Sequence, residues 1–214
     1  MRRFCFSFLI LVVGCCALAF CLVTCKAHGK KQEVVEWLKR VPQSAEDARK
    51  WGAVPYDTDE QWADAGRKID GLETTLIGLL QDPPREMLTG NEGPRTSDLA
   101  HALCYVGSTR SLDVLIRVME DTKRPEPTRV FSACALGHIG NPLAVDSLRK
   151  IVGSREEPLS LRINAVSVLE MLGDPNATPV IEEFLEDPQL REGDRAFAGQ
   201  VLEKLRKKQE TGPK

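Results

Sequence analysis

Ala102-Leu103-Cys104-Tyr105-Val106-Gly107 is echoed by Ala135-Leu136-Gly137-His138-Ile139-Gly140, and again by Val168-Leu169-Glu170-Met171-Leu172-Gly173. The closing glycines, Gly107, Gly140 and Gly173, are spaced 33 residues apart. Other columns keep the same step: Arg129, Arg162 and Arg195; Leu103, Leu136, Leu169 and Leu202; Leu115, Leu148 and Ile181. Several columns agreeing on one period mark stacked repeats. Leu136 and Ile139 are three apart, as are Leu169 and Leu172, so each pair shares one helical face. Gly-Asn-Pro at 140–142 and Gly-Asp-Pro at 173–175 then end the helix, because Gly accepts a left-handed C-terminal position and Pro suits the next helix start. A second helix follows in each unit, with Val145, Leu148, Ile151 and Val152 apolar in one and Val180, Ile181, Phe184 and Leu185 in the next.

Such helix pairs cannot bury both apolar faces alone, so neighbours must stack. The expected fold is all-α: an α-solenoid of about four and a half repeats after an N-terminal hydrophobic helix. Residues 60–210 form the repeat domain. Its first unit is a degenerate cap, with Trp62 to Ile69 and then residues 72–82, joined at Asp70-Gly71. Gln81 to Arg95 reads as a loop, and residues 191–208 as a lone polar closing helix. Residues 26–59 read as a tether with a short amphipathic helix around Val34, Val35, Trp37 and Leu38, in which Trp37 suits a membrane interface or the edge of the first repeat equally.

The unit resembles the short bacterial HEAT-like repeat, including the repeats of the phycobilisome-lyase type. The match is carried by Arg129, Ala133, Ala135-Leu136-Gly137, Ile139-Gly140-Asn141-Pro142, Ala144 and Leu148. It returns at Arg162, Ala165, Leu169, Leu172-Gly173-Asp174-Pro175 and Ala177, and covers residues 96–206. An ankyrin unit would need a Thr-Pro-Leu-His type signature, and a tetratricopeptide unit a Trp- and Tyr-bearing first helix; neither is present. The resemblance implies an extended binding surface. It also brings the alternative of a lyase-like or metal-dependent enzyme or enzyme accessory. Adjacent His-Glu pairs, from which the deoxyhypusine hydroxylase branch builds its di-iron site, are absent.

Residues 1–25 stand apart. Arg2 and Arg3 precede an uncharged apolar run, residues 4–25, and Lys26, Lys30 and Lys31 follow it. As a helix the run would extend roughly 33 Å, enough for a hydrocarbon core of about 30 Å. It reads as an uncleaved membrane anchor, a lipoprotein signal with Cys15 or Cys25 as the lipidated residue, or a cleaved signal peptide. The protein is therefore expected to be membrane-anchored or exported, in the cell envelope or periplasm if bacterial. Basic residues at both ends leave the orientation open. Five of the seven cysteines lie in this run, leaving Cys104 and Cys134 for the rest, too few for a disulfide scaffold. A net charge of -2 argues against general nucleic-acid binding.

Candidate chemistry is sparse. His101, Cys104, Cys134 and His138 pair one helical turn apart on neighbouring units and are weak candidates for a zinc-type site, with packing residues as the plainer reading. Arg129, Arg162 and Arg195 read as an anion strip or, preferably, as structural arginines whose stems cover a neighbouring unit while their heads meet turn acids such as Asp174. Arg117, Arg149, Glu182, Glu183 and Glu186 lie on second helices and are candidates for a binding surface. With no nucleophile–base pair, phosphate loop or paired-carboxylate signature, no catalytic residue and no cofactor is expected. The reading is a membrane-attached scaffold for a protein partner.

Overall fold

The computed structural model describes residues 28–41, 46, 54, 56–89 and 93–211. Helix α1 occupies residues 28–38. It is followed by α2 (Asp59–Gly66), α3 (Leu72–Gln81), α4 (Arg85–Thr89), α5 (Thr96–Val106), α6 (Leu112–Glu120) and α7 (Glu126–Ile139). Then come α8 (Val145–Gly153), α9 (Leu159–Leu172), α10 (Thr178–Leu185) and α11 (Glu192–Thr211). Among the described residues there is no strand. The apolar run at residues 4–25 lies outside them; among the described residues no helix is long and apolar enough to cross a membrane.

Two layers make the solenoid. The first helices α5, α7, α9 and α11 stack in sequence, and α2 joins that layer against α5. The second helices α3, α6, α8 and α10 form the other layer. Each second helix packs chiefly on the first helix of the following unit: α3 on α5, α6 on α7, α8 on α9, α10 on α11. The leucine columns supply this seam, with Leu103, Leu136 and Leu169 fully buried beside Leu115, Leu148 and Ile181. Leu202 and Leu205 of α11 close the stack.

The turns follow the predicted chemistry in two units and depart from it in one. Gly140 and Gly173 are left-handed, at φ +71° and +66°. Asn141 Oδ1 then accepts the Leu143 N–H at 3.0 Å, and Asp174 Oδ1 accepts the Asn176 N–H at 3.1 Å, fixing each turn before the next helix. Gly107 does not share the left-handed state; its φ is −71° and its ψ 150°. Glycine is required there for space, because a Cβ would collide with the Leu103 carbonyl.

The N-terminal end differs more. Residues 28–41, read as part of a tether, contribute Val34, Trp37, Leu38 and Val41 to the same core as the repeats. Trp37 is therefore a packed core residue rather than an interfacial one. Its ring stacks on Trp62 at 4.3 Å and 5°. Each indole N–H donates to the other residue's carbonyl, at 2.8 Å from Trp37 and 3.1 Å from Trp62, so neither buried donor is orphaned. Gly66 lies beneath the Trp37 ring, where a Cβ would strike it. The stretch read as a loop after Gln81 contains α4, which buries Met87.

Candidate binding surface

The arginine column is a repeated clasp. Arg129 Nε donates to the Met119 carbonyl at 2.7 Å, and Arg162 Nε to the Val152 carbonyl at 3.0 Å. A guanidinium N–H of Arg195 donates to the Leu185 carbonyl. Each acceptor is ten residues earlier, at the C-terminal end of the preceding second helix, where carbonyls lack helical partners. The cation also suits the negative end of that helix. Two of the three arginines then reach forward to an acid. Arg129 pairs with Glu157 at 2.6 Å, and Arg162 pairs with Asp187. Hydrogen bonds from Arg162 and from the Gln189 N–H hold the Asp187 carboxyl below its usual range. Arg129 and Arg162 are almost fully buried, so these heads lie inside the stack rather than along an open anion strip. Asp174 is not their partner: it pairs with Arg149 at 3.5 Å.

His101, Cys104, Cys134 and His138 do not converge. His101 is buried in an aromatic stack, 5.6 Å from Trp62 and 4.9 Å from Phe131 by ring centroids. Burial holds its pKa below the usual 6.5, Asp59 opposing and His138 adding to the shift. Cys104 Sγ lies 3.7 Å from the Ala100 carbonyl and 3.8 Å from that of Phe131. Cys134 Sγ lies 3.3 Å from Asn164 Oδ1 on α9. Burial raises both thiol pKa values. His138 is exposed, its ring 6.2 Å from that of Tyr105. Tyr105 in turn donates to Asp59 Oδ2 at 2.8 Å, and its own pKa is pushed up to about 12, chiefly by burial. Among the described residues no group of three or more His, Cys, Asp or Glu could hold a metal ion.

On the second-helix layer, α6 presents Arg117, whose Nε donates to the Asp113 carbonyl at 3.1 Å. Helix α8 presents Arg149, bonded to Asp146 at 2.6 Å. Glu182 and Glu183 are exposed on α10 and Glu186 just beyond its end, and Glu182 meets Arg206 of α11. Arg117, Lys150 and Glu183 occupy one repeat column, which is basic on α6 and α8 and acidic on α10.

A family model of the PBS lyase HEAT-like repeat matches residues 161–187. The chain is a HEAT-like repeat protein. No curated protein matches it. The matched segment holds α9, the Gly173-Asp174-Pro175 turn and α10, together with both members of the Arg162–Asp187 pair. The Arg162–Asp187 pair thus lies within this HEAT-like unit, while the Val152 carbonyl that Arg162 also meets precedes it, and Arg129 repeats the clasp one unit earlier.

One interaction of the HEAT-like stack escaped the sequence reading. Glu73, in the first turn of α3, accepts from Ser108 N–H at 2.7 Å, Ser108 Oγ at 2.8 Å and Ser111 Oγ at 2.7 Å. Burial pushes this carboxyl up, but the bonds from Ser111 and Ser108 outweigh it, leaving its pKa below the usual value. Ser108 occupies the column of Asn141 and Asp174, and Glu73 the helix position of Asp113 and Asp146. The column alignment could have flagged this pairing of an acid with the next unit's turn.

Proposed function

We propose that this HEAT-like repeat protein is a scaffold that binds a protein partner through its second-helix layer and is attached to a membrane by residues 4–25. The observation that carries the binding reading is one exposed charged column on the second helices, basic at Arg117 of α6 and Lys150 of α8 and acidic at Glu183 of α10, on a stack whose first-helix layer is occupied by inter-repeat packing. A surface of this kind recognises an extended partner by complementary charge, without a reactive residue. The attachment reading rests on the length and apolarity of residues 4–25 and on the cations that flank them. Residue 28 already belongs to helix α1, so attachment at residues 4–25 would hold the first repeat close to the bilayer surface.

The test is mild crosslinking of the full-length protein in its native membrane, followed by detergent solubilisation, capture and mass spectrometry. A reproducible partner is expected, and a charge reversal combining E182K, E183K and E186K should release it. Retention of every partner by that variant would remove the acidic end of the layer from the interface. Recovery of the protein alone would sink the scaffold reading. Attachment is tested separately: deleting residues 1–25 should move the chain out of the membrane pellet, and continued sedimentation would refute it.

A further inference from the structure

Three successive turns lie along one edge of the stack, and their seams are not equivalent. In the first, the α3 acid Glu73 meets a turn that supplies donors, Ser108 and Ser111. In the last, Asp146 of α8 stands in the position of Glu73, but the facing turn carries Asp174 and Ala177 where the first carries Ser108 and Ser111. Two carboxylates share one guanidinium there: Arg149 bonds Asp146 at 2.6 Å and lies 3.5 Å from Asp174 Oδ2. Asp174 is 5% exposed, and its Oδ2 has no hydrogen bond. A buried acceptor in this condition gains from a donor that reaches it.

The same seam holds a cleft of about 410 Å³, lined by Leu143, Val145, Asp146, Arg149, Leu172 and Asp174, with Pro142 and Pro175 at its walls. Leu143 is 71% exposed beside it. The cleft therefore combines an acceptor surplus, one net negative charge and aliphatic walls. We propose that it docks a basic side chain, Lys or Arg, flanked by an aliphatic residue, from a segment of a partner polypeptide. The cation completes Asp174 Oδ2 and relieves the Asp146–Asp174 pair, while the aliphatic neighbour covers Leu143 and Leu172. Charge complementarity argues against an acidic segment, which would add a third carboxylate to the seam. This inference rests on the scaffold reading and adds a specific partner chemistry to it.

The test uses the full-length chain in a mild detergent micelle, with its Leu and Val methyl groups isotopically labelled. It is titrated with the acetylated, amidated tripeptide Leu-Arg-Leu, with Leu-Glu-Leu, and with putrescine. Leu-Arg-Leu should shift the Leu143, Val145 and Leu172 methyl signals saturably, and Leu-Glu-Leu should not. D174N should weaken that binding roughly tenfold. Asn is safe for the fold at this position, because Asn141 makes the equivalent turn bond one unit earlier. No shift at millimolar Leu-Arg-Leu, or equal shifts with Leu-Glu-Leu, would overturn the proposal. So would putrescine reproducing the full response, which would make the site one for free cations. Tighter peptide binding after removal of residues 212–214 would make the chain's own tail the occupant and would overturn it too. A crosslinked partner that binds D174N as well as the parent would overturn the cleft while leaving the scaffold reading intact, whereas the absence of any partner would remove that reading itself.

Discussion

The two ends of the stack are held by different means. From α6 to α11 the same arginine clasp ties one second helix to the next first helix three times, over leucines repeated in register. From α1 to α5 no clasp occurs among the described residues; Trp37, Trp62, His101 and Phe131 run through the seam as a stack of rings. A repeated device distributes stability over many small equivalent contacts, as expected of a linear array. A terminal unit has a neighbour on one side only. Here it closes with large aromatic surfaces, whose burial is worth more per residue.

Trp62→Ala gives the largest contrast. Trp62 is fully buried, and removing it deletes the stack, the reciprocal indole bond and the floor under Trp37. The expected loss is roughly 3–5 kcal/mol, confined to the N-terminal end. Hydrogen exchange should show α1 to α3 losing protection while α7 to α10 keep theirs. Uniform loss along the chain would mean that the two ends fold as one cooperative unit.

Arg162→Ala probes the other device. It leaves the Val152 carbonyl without its donor and the Asp187 carboxylate, also buried, without its cation. The expected cost is about 3 kcal/mol, near the lower end of values for breaking a buried pair. Arg195→Ala removes a clasp that is exposed and makes no ion pair among the described residues, so it should cost below about 1 kcal/mol. Denaturant midpoints of the two variants give the comparison directly. Equal costs would show that the carbonyl contact, common to both, carries the clasp and that the acid adds nothing.

These devices differ in how far the sequence displays them. The all-α stack was legible because Leu, Arg and Gly recur every 33 residues, and periodicity survives without coordinates. The arginines were legible as structural, but their acceptors were not, since a backbone carbonyl leaves no mark in the side-chain pattern. Asp174 looked like a partner for the column, yet it lies on the turn edge beside Arg149. Trp37 was ambiguous for a different reason: one indole on a short amphipathic helix suits a bilayer surface or a protein core equally, and only the geometry of Trp62 and Gly66 decides. His101 and Cys134 share a column with each other, which suggested convergence. Their side chains in fact turn to different neighbours, one into the ring stack and the other toward Asn164.

The glycine column sharpens the contrast at smaller scale. Gly140→Ala should cost about 1 kcal/mol through its left-handed backbone, and Gly140→Asn should recover part of it, because Asn tolerates that region. Gly107→Ala should also destabilise, through the clash with the Leu103 carbonyl, but Gly107→Asn should be no better, since space and not backbone angle is limiting. Thermal melts of the four variants test this. Rescue by Asn at both sites would mean that the first turn is left-handed after all.

The smallest effect belongs to His101, and its sign follows from where the proton is bound. Burial among Trp62, Phe131 and Tyr105 lowers the folded-state pKa, so the unfolded chain binds the proton more readily. The stability this histidine contributes is therefore complete above the unfolded value near 6.5, and declines as the pH falls from there through the lowered folded value. Acidifying from about pH 7.5 to about pH 5.5 should lower the melting temperature of the parent, with the loss of protection beginning at α1 and α2. His101→Phe keeps an aromatic ring in the stack and has nothing to protonate, so its melting curve should be flatter over that range. Asp187 titrates lower, because its folded pKa is depressed. If His101→Phe retained the parent's slope, the acid sensitivity would lie outside the ring stack, and the N-terminal end would owe its stability to apolar area alone.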